Sequence, residues 1–392
     1  MRHDRPIYYA AVAGDILGTY LRWKDGKRDE RQTAATYSGQ FFDLCARAGR
    51  RGEASFPSTE KRKIVDAQFS IRSRPSNQIG KGIWYYFYQL CRAAWLFVDV
   101  TRSRASDVIV MDGVTLFFLL TPLAWSGKRI FLSVHTVLWR DGANLGLLKR
   151  LILRLDGRFI RRHCAGCLVA SPAIASQISR LTQGCNHSIV LFNPTYERED
   201  FDRFASPNPQ QRPFRVFYAG RIEIDKGVLD LLQSVRMLIL AGRSVHLDYC
   251  GDGEALLSLR EEVINTGLSD HVDIHGHLDR PALLDLLGNA QVVVVPTRSE
   301  FPEGLNQVVI EAVLSRRPVV TSKVCPALEL VSEAVVEAEA DNVDSYSAAI
   351  GQLIDNHELF AEKASGADGL REQFFDPKQG WTAKAYALII DG

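Results

Sequence analysis

Two short stretches concentrate the residue types that handle phosphate and polyhydroxyl groups. The first is Gly220-Arg221-Ile-Glu-Ile-Asp-Lys226-Gly227. It follows the apolar run Arg215–Tyr218 and precedes a helical pattern beginning at Val228, so two cations and a helix N-terminus surround one point. Free backbone N–H groups beside a guanidinium and an ammonium suit a diphosphate. A surface loop with ordinary charges is the plainer alternative. The second stretch is Glu303-Gly304-Leu305-Asn306-Gln307-Val308-Val309-Ile310-Glu311-Ala312. Its two glutamates are separated by a loop and about two helical turns, so they can address opposite ends of one ligand. Gly304 permits close backbone approach, and the first N–H groups of the new helix can receive a phosphate. Val308, Val309, Ile310 and Val313 make that helix largely buried, against the plainer reading of a capped helix with a solvent-facing Glu311. A buried Glu311 needs a hydrogen-bonding partner, and ribose hydroxyls would serve.

Other candidates carry thinner signals. His135 closes the apolar run Phe131-Leu-Ser-Val-His135 at what reads as the carboxyl end of a strand, where α/β sheets hold ligands; a helix-capping or core histidine is the alternative. Ala13-Gly14-Asp15 and Ser38-Gly39 are candidates for a glycine-rich face, with Gly14 at the end of the first apolar run. His163-Cys164-Ala-Gly-Cys167 invites a zinc reading, but no second Cys/His pair lies at finger-like spacing, so strand or core cysteines are expected. The seven scattered cysteines read as reduced thiols.

The elements that would position these residues alternate in type. Ile7–Val12, Val108–Met111, Ile130–Val134 and Leu168–Ala170 read as buried strands, with helices over Val114–Trp125 and Leu147–Arg162. Further on, strands at Arg215–Tyr218, Val245–Tyr249, Val272–Ile274, Val292–Val295 and Val319–Thr321 alternate with helices at Val228–Ala241, Glu254–Thr266, Pro281–Gly288 and Gln307–Ser315. This βαβα rhythm implies an α/β protein of two Rossmann-like, doubly wound domains with helices on both sheet faces, facing an interdomain cleft. The expected boundaries are 1–205 for the first domain, Ser206–Pro213 for a Pro-rich linker, 214–375 for the second domain, and 376–392 for a helix returning to the first.

Composition sets the class. The 392 residues are 46% apolar and 24% charged, which excludes disordered, collagen-like and coiled-coil chains. The net charge of +1 hides an asymmetry: residues 1–206 hold 31 cations and 18 acids (+13), leaving 16 and 28 (−12) for the rest. A basic first half points to an anionic partner. No nucleic-acid motif accompanies it. Two surfaces could dock on anionic membrane. In Leu147–Arg162, Leu148, Leu151, Ile152, Leu155 and Phe159 form one helical stripe and Arg150, Arg154, Arg158 and Arg161 another; in Arg72–Trp84, a basic loop leads into Trp84-Tyr85-Tyr86-Phe87-Tyr88. The plainer reading packs the stripe on the sheet. The start, Met-Arg-His-Asp, lacks a signal-peptide core, and Val108–Trp125 is broken by Asp112, Gly113 and Pro122, so a cytoplasmic chain, peripheral on the cytoplasmic face of the membrane, is expected.

Taken together, the Gly-Arg-x4-Lys-Gly loop, the Gly251-Asp-Gly253 turn and the Glu-x7-Glu element resemble the retaining glycosyltransferases of family 4 (group 1), over roughly Arg215–Val331. The resemblance implies the GT-B fold, a nucleotide-diphosphate sugar as donor, and transfer to a hydroxyl of a glycan or lipid-linked acceptor in polysaccharide or glycoconjugate synthesis. By the same resemblance, Arg221 and Lys226 bind the donor diphosphate, Glu303 addresses the transferred sugar and Glu311 the ribose. Gly304 and the backbone N–H groups of Leu305 and Asn306 approach phosphate or sugar, where the family often has an aromatic residue and a glycine. His135 is similar to the family's cleft-facing histidine, and Asn193-Pro194 to its Pro-Asn-Gly turn. Asp252 falls at a strand-to-helix turn where it is expected to cap the helix rather than hold a metal. Neither a metal nor another cofactor is expected, because the cations at 221 and 226 neutralise the leaving diphosphate. No side chain stands out as a covalent nucleophile, which is compatible with the family's front-face route. The alternatives are a soluble small-molecule acceptor, a phosphorylase or epimerase of the same fold, and a non-catalytic subunit that binds nucleotide sugar.

Overall fold

Short buried strands, apolar throughout in Ile7–Ala10 and in Val292–Val295, make the sheets, and helices with one buried face cover them. The computed structural model describes residues 5–29, 32–75, 82–140, 142, 144–185 and 188–392, without the side chains at 75 and 83. The Met-Arg-His-Asp start and positions 76–81 of the Arg72–Trp84 loop lie outside the described residues. The chain divides into two compact units, Met1–Asp29 with Ala35–Pro194 and Pro377–Gly392, and Glu30–Ala34 with Thr195–Asp376. The division therefore falls after Pro194. The Ser206–Pro213 stretch, expected as the linker, lies inside the second unit together with residues 195–205.

In the first unit the strands are β1 (Ile7–Ala10), β2 (Gly52–Ser58), β3 (Lys63–Val65), β4 (Phe69–Pro75), β5 (Asp107–Met111), β6 (Arg129–Val134), β7 (Cys164–Val169) and β8 (Ile189–Leu191). They form one sheet in the order β3-β4-β2-β1-β5-β6-β7-β8, parallel except for the β3–β4 pair. β1 is buried throughout, and its Ile7 stands opposite Gly52 on one side and Asp107 on the other. Strands β2 to β4 and β8 were not foreseen in the sequence. The C-terminal segment completes this unit: Trp381, fully buried, donates its indole N–H to Ser133 Oγ at 2.9 Å, and Arg129 donates to the Ile389 carbonyl at 2.7 Å.

Two helices differ from expectation. Val114–Trp125 is not one helix but a 3-10 turn, Phe117–Leu120, followed by the short helix Thr121–Trp125, with Pro122 in its first turn. Proline's missing N–H is tolerated only at such a start. The Leu147–His163 helix forms as expected, but its apolar stripe splits. Ile152, Leu153, Phe159 and Ile160 turn inward, while Leu147, Leu148, Leu151 and Leu155 stay exposed. Among the described residues no helix is long and apolar enough to cross a membrane.

The second unit holds β9 (Phe214–Ala219), β10 (Val245–Cys250), β11 (Val272–Gly276), β12 (Val292–Val295), β13 (Val319–Thr321) and β14 (Val335–Glu337), in the order β11-β10-β9-β12-β13-β14 and parallel throughout. The chain winds outward through β9, β10 and β11, then returns to the other side of β9 as β12. The strand order reverses between β9 and β12.

Candidate functional site

That reversal point is where an open parallel sheet leaves a crevice, because the connections after its two strands run to opposite faces. The two sequence stretches singled out above are the loops that follow β9 and β12. Glycines let these loops, and the turn after β10, pack backbone to backbone. Gly227 has φ +72°, and a Cβ there would lie 2.0 Å from the Pro296 carbonyl oxygen. Gly251 has φ +139°, and a Cβ would lie 1.8 Å from the Gly220 carbonyl oxygen. Neither position can carry a side chain without moving a neighbouring loop. The Ile222 N–H donates to the Asp252 carbonyl and the Arg298 N–H to the Asp225 carbonyl, at 2.9 and 3.0 Å. Contrary to the expectation from sequence, Asp252 does not cap the following helix. Leu256–Asn265 begins after Ala255 without a side-chain cap, and the Asp252 carboxylate accepts its neighbour's N–H, that of Gly253, at 2.7 Å.

In this frame Lys226 and Glu303 meet. Lys226 Nζ lies 2.7 Å from Glu303 Oε2, and the side chains are only 11% and 8% exposed. The same carboxylate oxygen accepts from Thr297 Oγ1 at 2.9 Å and from Asn306 Nδ2 at 3.4 Å. Lys226 Nζ also sits 3.8 Å from the ring centroid of Phe301, and the Arg221 guanidinium carbon 5.5 Å from it. One ring thus carries both cations that the sequence pairs. Arg221 is 58% exposed and bonded to Glu223 at 2.7 Å, a pairing that water and salt screen. Lys226 is the buried cation and Arg221 the accessible one.

Helix Gln307–Leu314 carries the second glutamate. Its N-cap is Asn306, whose side chain accepts from the Val308 N–H at 3.2 Å. Gly304 and Leu305 lie in the preceding loop, half-buried, with Leu305 packed against the core. Glu311 is buried and accepts a short hydrogen bond from the hydroxyl of Thr33. Burial pushes its carboxyl above the ordinary range, opposed by the Thr33 hydroxyl and the charge of Arg280. A hydroxyl partner was anticipated for Glu311; in this structure it comes from the chain itself.

In the first unit, His135 follows β6. Its Nε2 lies 2.9 Å from Ser133 Oγ, its ring is 4.3 Å from that of Tyr37 and 5.4 Å from that of Phe192, and its Nδ1 is buried without a partner among the described residues. Burial pushes the imidazole down to about 3, so it is neutral at physiological pH. Asp112, which the sequence did not single out, holds this turn by accepting the backbone N–H groups of His135 and Thr136 at 3.1 and 2.9 Å. Gly14 has φ +99° ahead of a helix capped by Asp15, while Gly39 lies in the first turn of helix Tyr37–Arg47, capped by Thr36. Gly39 therefore belongs to no glycine-rich loop. Cys164 and Cys167 are buried free thiols in β7, 3.8 Å apart. Among the described residues, His246, Asp248 and Asp273 bring potential metal-ligand atoms within 4.8 Å of one another. Asp248 there is already engaged by Arg215 and His275, each at 2.9 Å.

Residues 199–366 match the family model of glycosyl transferases group 1. The match covers the loops after β9, β10 and β12 and thus every charged residue of the crevice. Curated relatives resemble part of the chain. An α-D-kanosaminyltransferase of Streptomyces kanamyceticus is 28% identical over 154 residues, 39% of each chain. A glycogen synthase of Mycobacterium tuberculosis is 29% identical over 188 residues, 47% of this chain and 45% of its own. The capsular polysaccharide biosynthesis glycosyltransferase CapM of Staphylococcus aureus is 30% identical over 179 residues, 40% and 46%. The chain thus spans less than half the length of these relatives. Solved structures extend the likeness to the whole fold. The lipopolysaccharide outer core galactosyltransferase WaaB aligns with TM-score 0.69 at 14% identity over 99% of both chains. The HepE protein of Anabaena, in complex with UDP, aligns with TM-score 0.64 at 15% identity over 95% and 96%. The chain has the GT-B fold, each of its two units being Rossmann-like.

Proposed function

We propose that this protein is a retaining glycosyltransferase of family 4 that moves a sugar from a nucleotide-diphosphate donor to a hydroxyl of a glycan or lipid-linked acceptor in glycoconjugate synthesis. The observation that carries the reading is the meeting of Lys226 and Glu303 at the strand-order reversal, inside the segment matched by the group 1 family. In this reading the donor diphosphate lies against Lys226 and Arg221, whose fixed positive charge stabilises the leaving group as the sugar–oxygen bond breaks. Glu303, held by Thr297 and Asn306, accepts hydrogen bonds from hydroxyls of the transferred sugar. Glu311 exchanges the Thr33 hydroxyl for a ribose hydroxyl. The departing phosphate takes the acceptor proton, so the chemistry needs neither a protein nucleophile nor a metal. His135, being neutral, contributes as a hydrogen-bonding group and not as an acid.

The test is release of nucleoside diphosphate from a panel of UDP- and GDP-sugars by the purified protein, with water as the slow acceptor. Turnover of at least one donor, lost in Arg221→Ala, is expected. A folded protein that turns over none of them, while binding them, would leave the non-catalytic binding subunit in its place.

A further inference from the structure

Helix Leu147–His163 has three faces instead of two. Ile152, Leu153, Asp156, Phe159 and Ile160 are buried against the unit. Leu147, Leu151 and Leu155 recur at four-residue spacing with Leu148 beside them, and all four are between 37% and 84% exposed. Arg150, Arg154 and Arg158 repeat at the same spacing on the adjoining arc, exposed and without an ion pair among the described residues. The helix holds six cations and one acid, and that acid, Asp156, is turned inward to accept the Phe118 N–H at 2.9 Å. A second helix, Ile83–Ser103, holds the stretch just before Phe118, where Thr115 Oγ1 donates to the Gln89 carbonyl at 3.1 Å. It too exposes large apolar side chains, including Trp84, Phe87, Leu90 and Trp95.

A contiguous exposed apolar arc marks an interaction surface, and a flanking row of arginines with no ion pair among the described residues selects an anionic boundary for it. We propose that this face of the first unit lies on an anionic lipid bilayer surface, with the four leucines at the headgroup–acyl boundary and Arg150, Arg154 and Arg158 on lipid phosphates. The charge pattern fits a lipid surface better than a protein partner, because the cations form a continuous row beside the apolar arc with no carboxylate interspersed. This surface contains none of the donor loops, so membrane binding and sugar transfer can fail independently.

The experiment is co-sedimentation of the full chain with vesicles of phosphatidylcholine alone or mixed equally with phosphatidylglycerol, at low and high salt. The chain is expected to sediment with the anionic vesicles at low salt and to be released as salt rises. Each cation near an anionic surface is worth roughly fivefold in partition, so Arg150→Ser with Arg154→Ser and Arg158→Ser should reduce binding about a hundredfold. Leu148→Gln with Leu151→Gln and Leu155→Gln should reduce it by about tenfold or more. All six side chains are exposed, so thermal melting and donor turnover should match the unsubstituted chain. Failure to bind anionic vesicles at low salt, equal binding to neutral ones, or unchanged binding by either triple variant would overturn the proposal. Leucine-dependent dimers that leave vesicles untouched would overturn it as well.

Discussion

Replacing Lys226 by methionine should separate what the buried cation does for the fold from what it does for turnover. The substitution keeps the side-chain length but leaves Glu303, itself 8% exposed, without its ammonium partner. Breaking a buried pair from one side costs about 3–5 kcal/mol. Thr297 and Asn306 still donate to the stranded carboxylate, so the lower end, about 3 kcal/mol, applies. In a unit of this size each kcal/mol lowers the midpoint by about 2–4 °C, giving a fall of roughly 6–12 °C. Adding Glu303→Gln removes the stranded charge, and the double variant should regain about 2 kcal/mol or more of the loss. Turnover should follow a different course. It falls by two or more orders of magnitude in Lys226→Met, since a lost donor to developing charge is worth about 3 kcal/mol, and it stays low in the double variant. Calorimetric melting beside donor hydrolysis reads both. A single variant that melts like the unsubstituted protein, or a double variant that recovers turnover with stability, would refute the reasoning.

Three further outcomes follow from the same structure. Arg221→Ala should reduce turnover by at least about a hundredfold yet leave melting unchanged within about 1 kcal/mol, because its pairing with Glu223 is exposed. Glu311→Ala should weaken binding of UDP or GDP themselves, while Glu303→Ala should mainly impair the intact sugar nucleotides; calorimetry showing equal losses for both would contradict the assignment. Asp156 is pushed up to about 6, chiefly by burial, from an ordinary value near 3.8. The neutral acid is therefore the form the fold prefers, and the stability penalty appears as pH rises through that window and saturates above about 6. Asp156→Asn, which keeps an acceptor for the Phe118 N–H, should stabilise by up to about 3 kcal/mol at pH 7 and by almost nothing at pH 3.5, as read by melting across pH.

How much of this was legible beforehand depended on whether the signal was local. Val292–Val295 is a bare apolar run, and the strand stands where the run does, as do Val319–Thr321 and the helix after Val228. β2 and β4, with sequences GEASFPS and FSIRSRP, mix Gly, Pro, Ser and Arg into strands held by their neighbours' backbones, so no run marks them. The loop motifs showed which residues matter but not what they touch. Thr33 and Glu311 are 278 positions apart, and nothing local to either announces the bond. Phe301 sits beneath Lys226 because the loops after β9 and β12 cross at Gly227 and Pro296, a tertiary fact. The aspartate at 252 misled because the sequence rule for caps takes no account of where the first helical turn begins. The charge sign changes at the Pro-rich stretch, whereas the compact division follows Pro194 and leaves that stretch inside the second unit.

In the proposed reading the crevice between the ends of β9 and β12 holds a nucleoside diphosphate through Lys226. Titration calorimetry of the full chain with UDP and with GDP tests it most directly, because it needs neither the acceptor nor the right sugar. Saturable heat is expected for at least one of the two, weakened by at least about tenfold in Lys226→Met at a temperature where that variant remains folded. No heat from either nucleotide, or undiminished binding by the variant, would contradict the account.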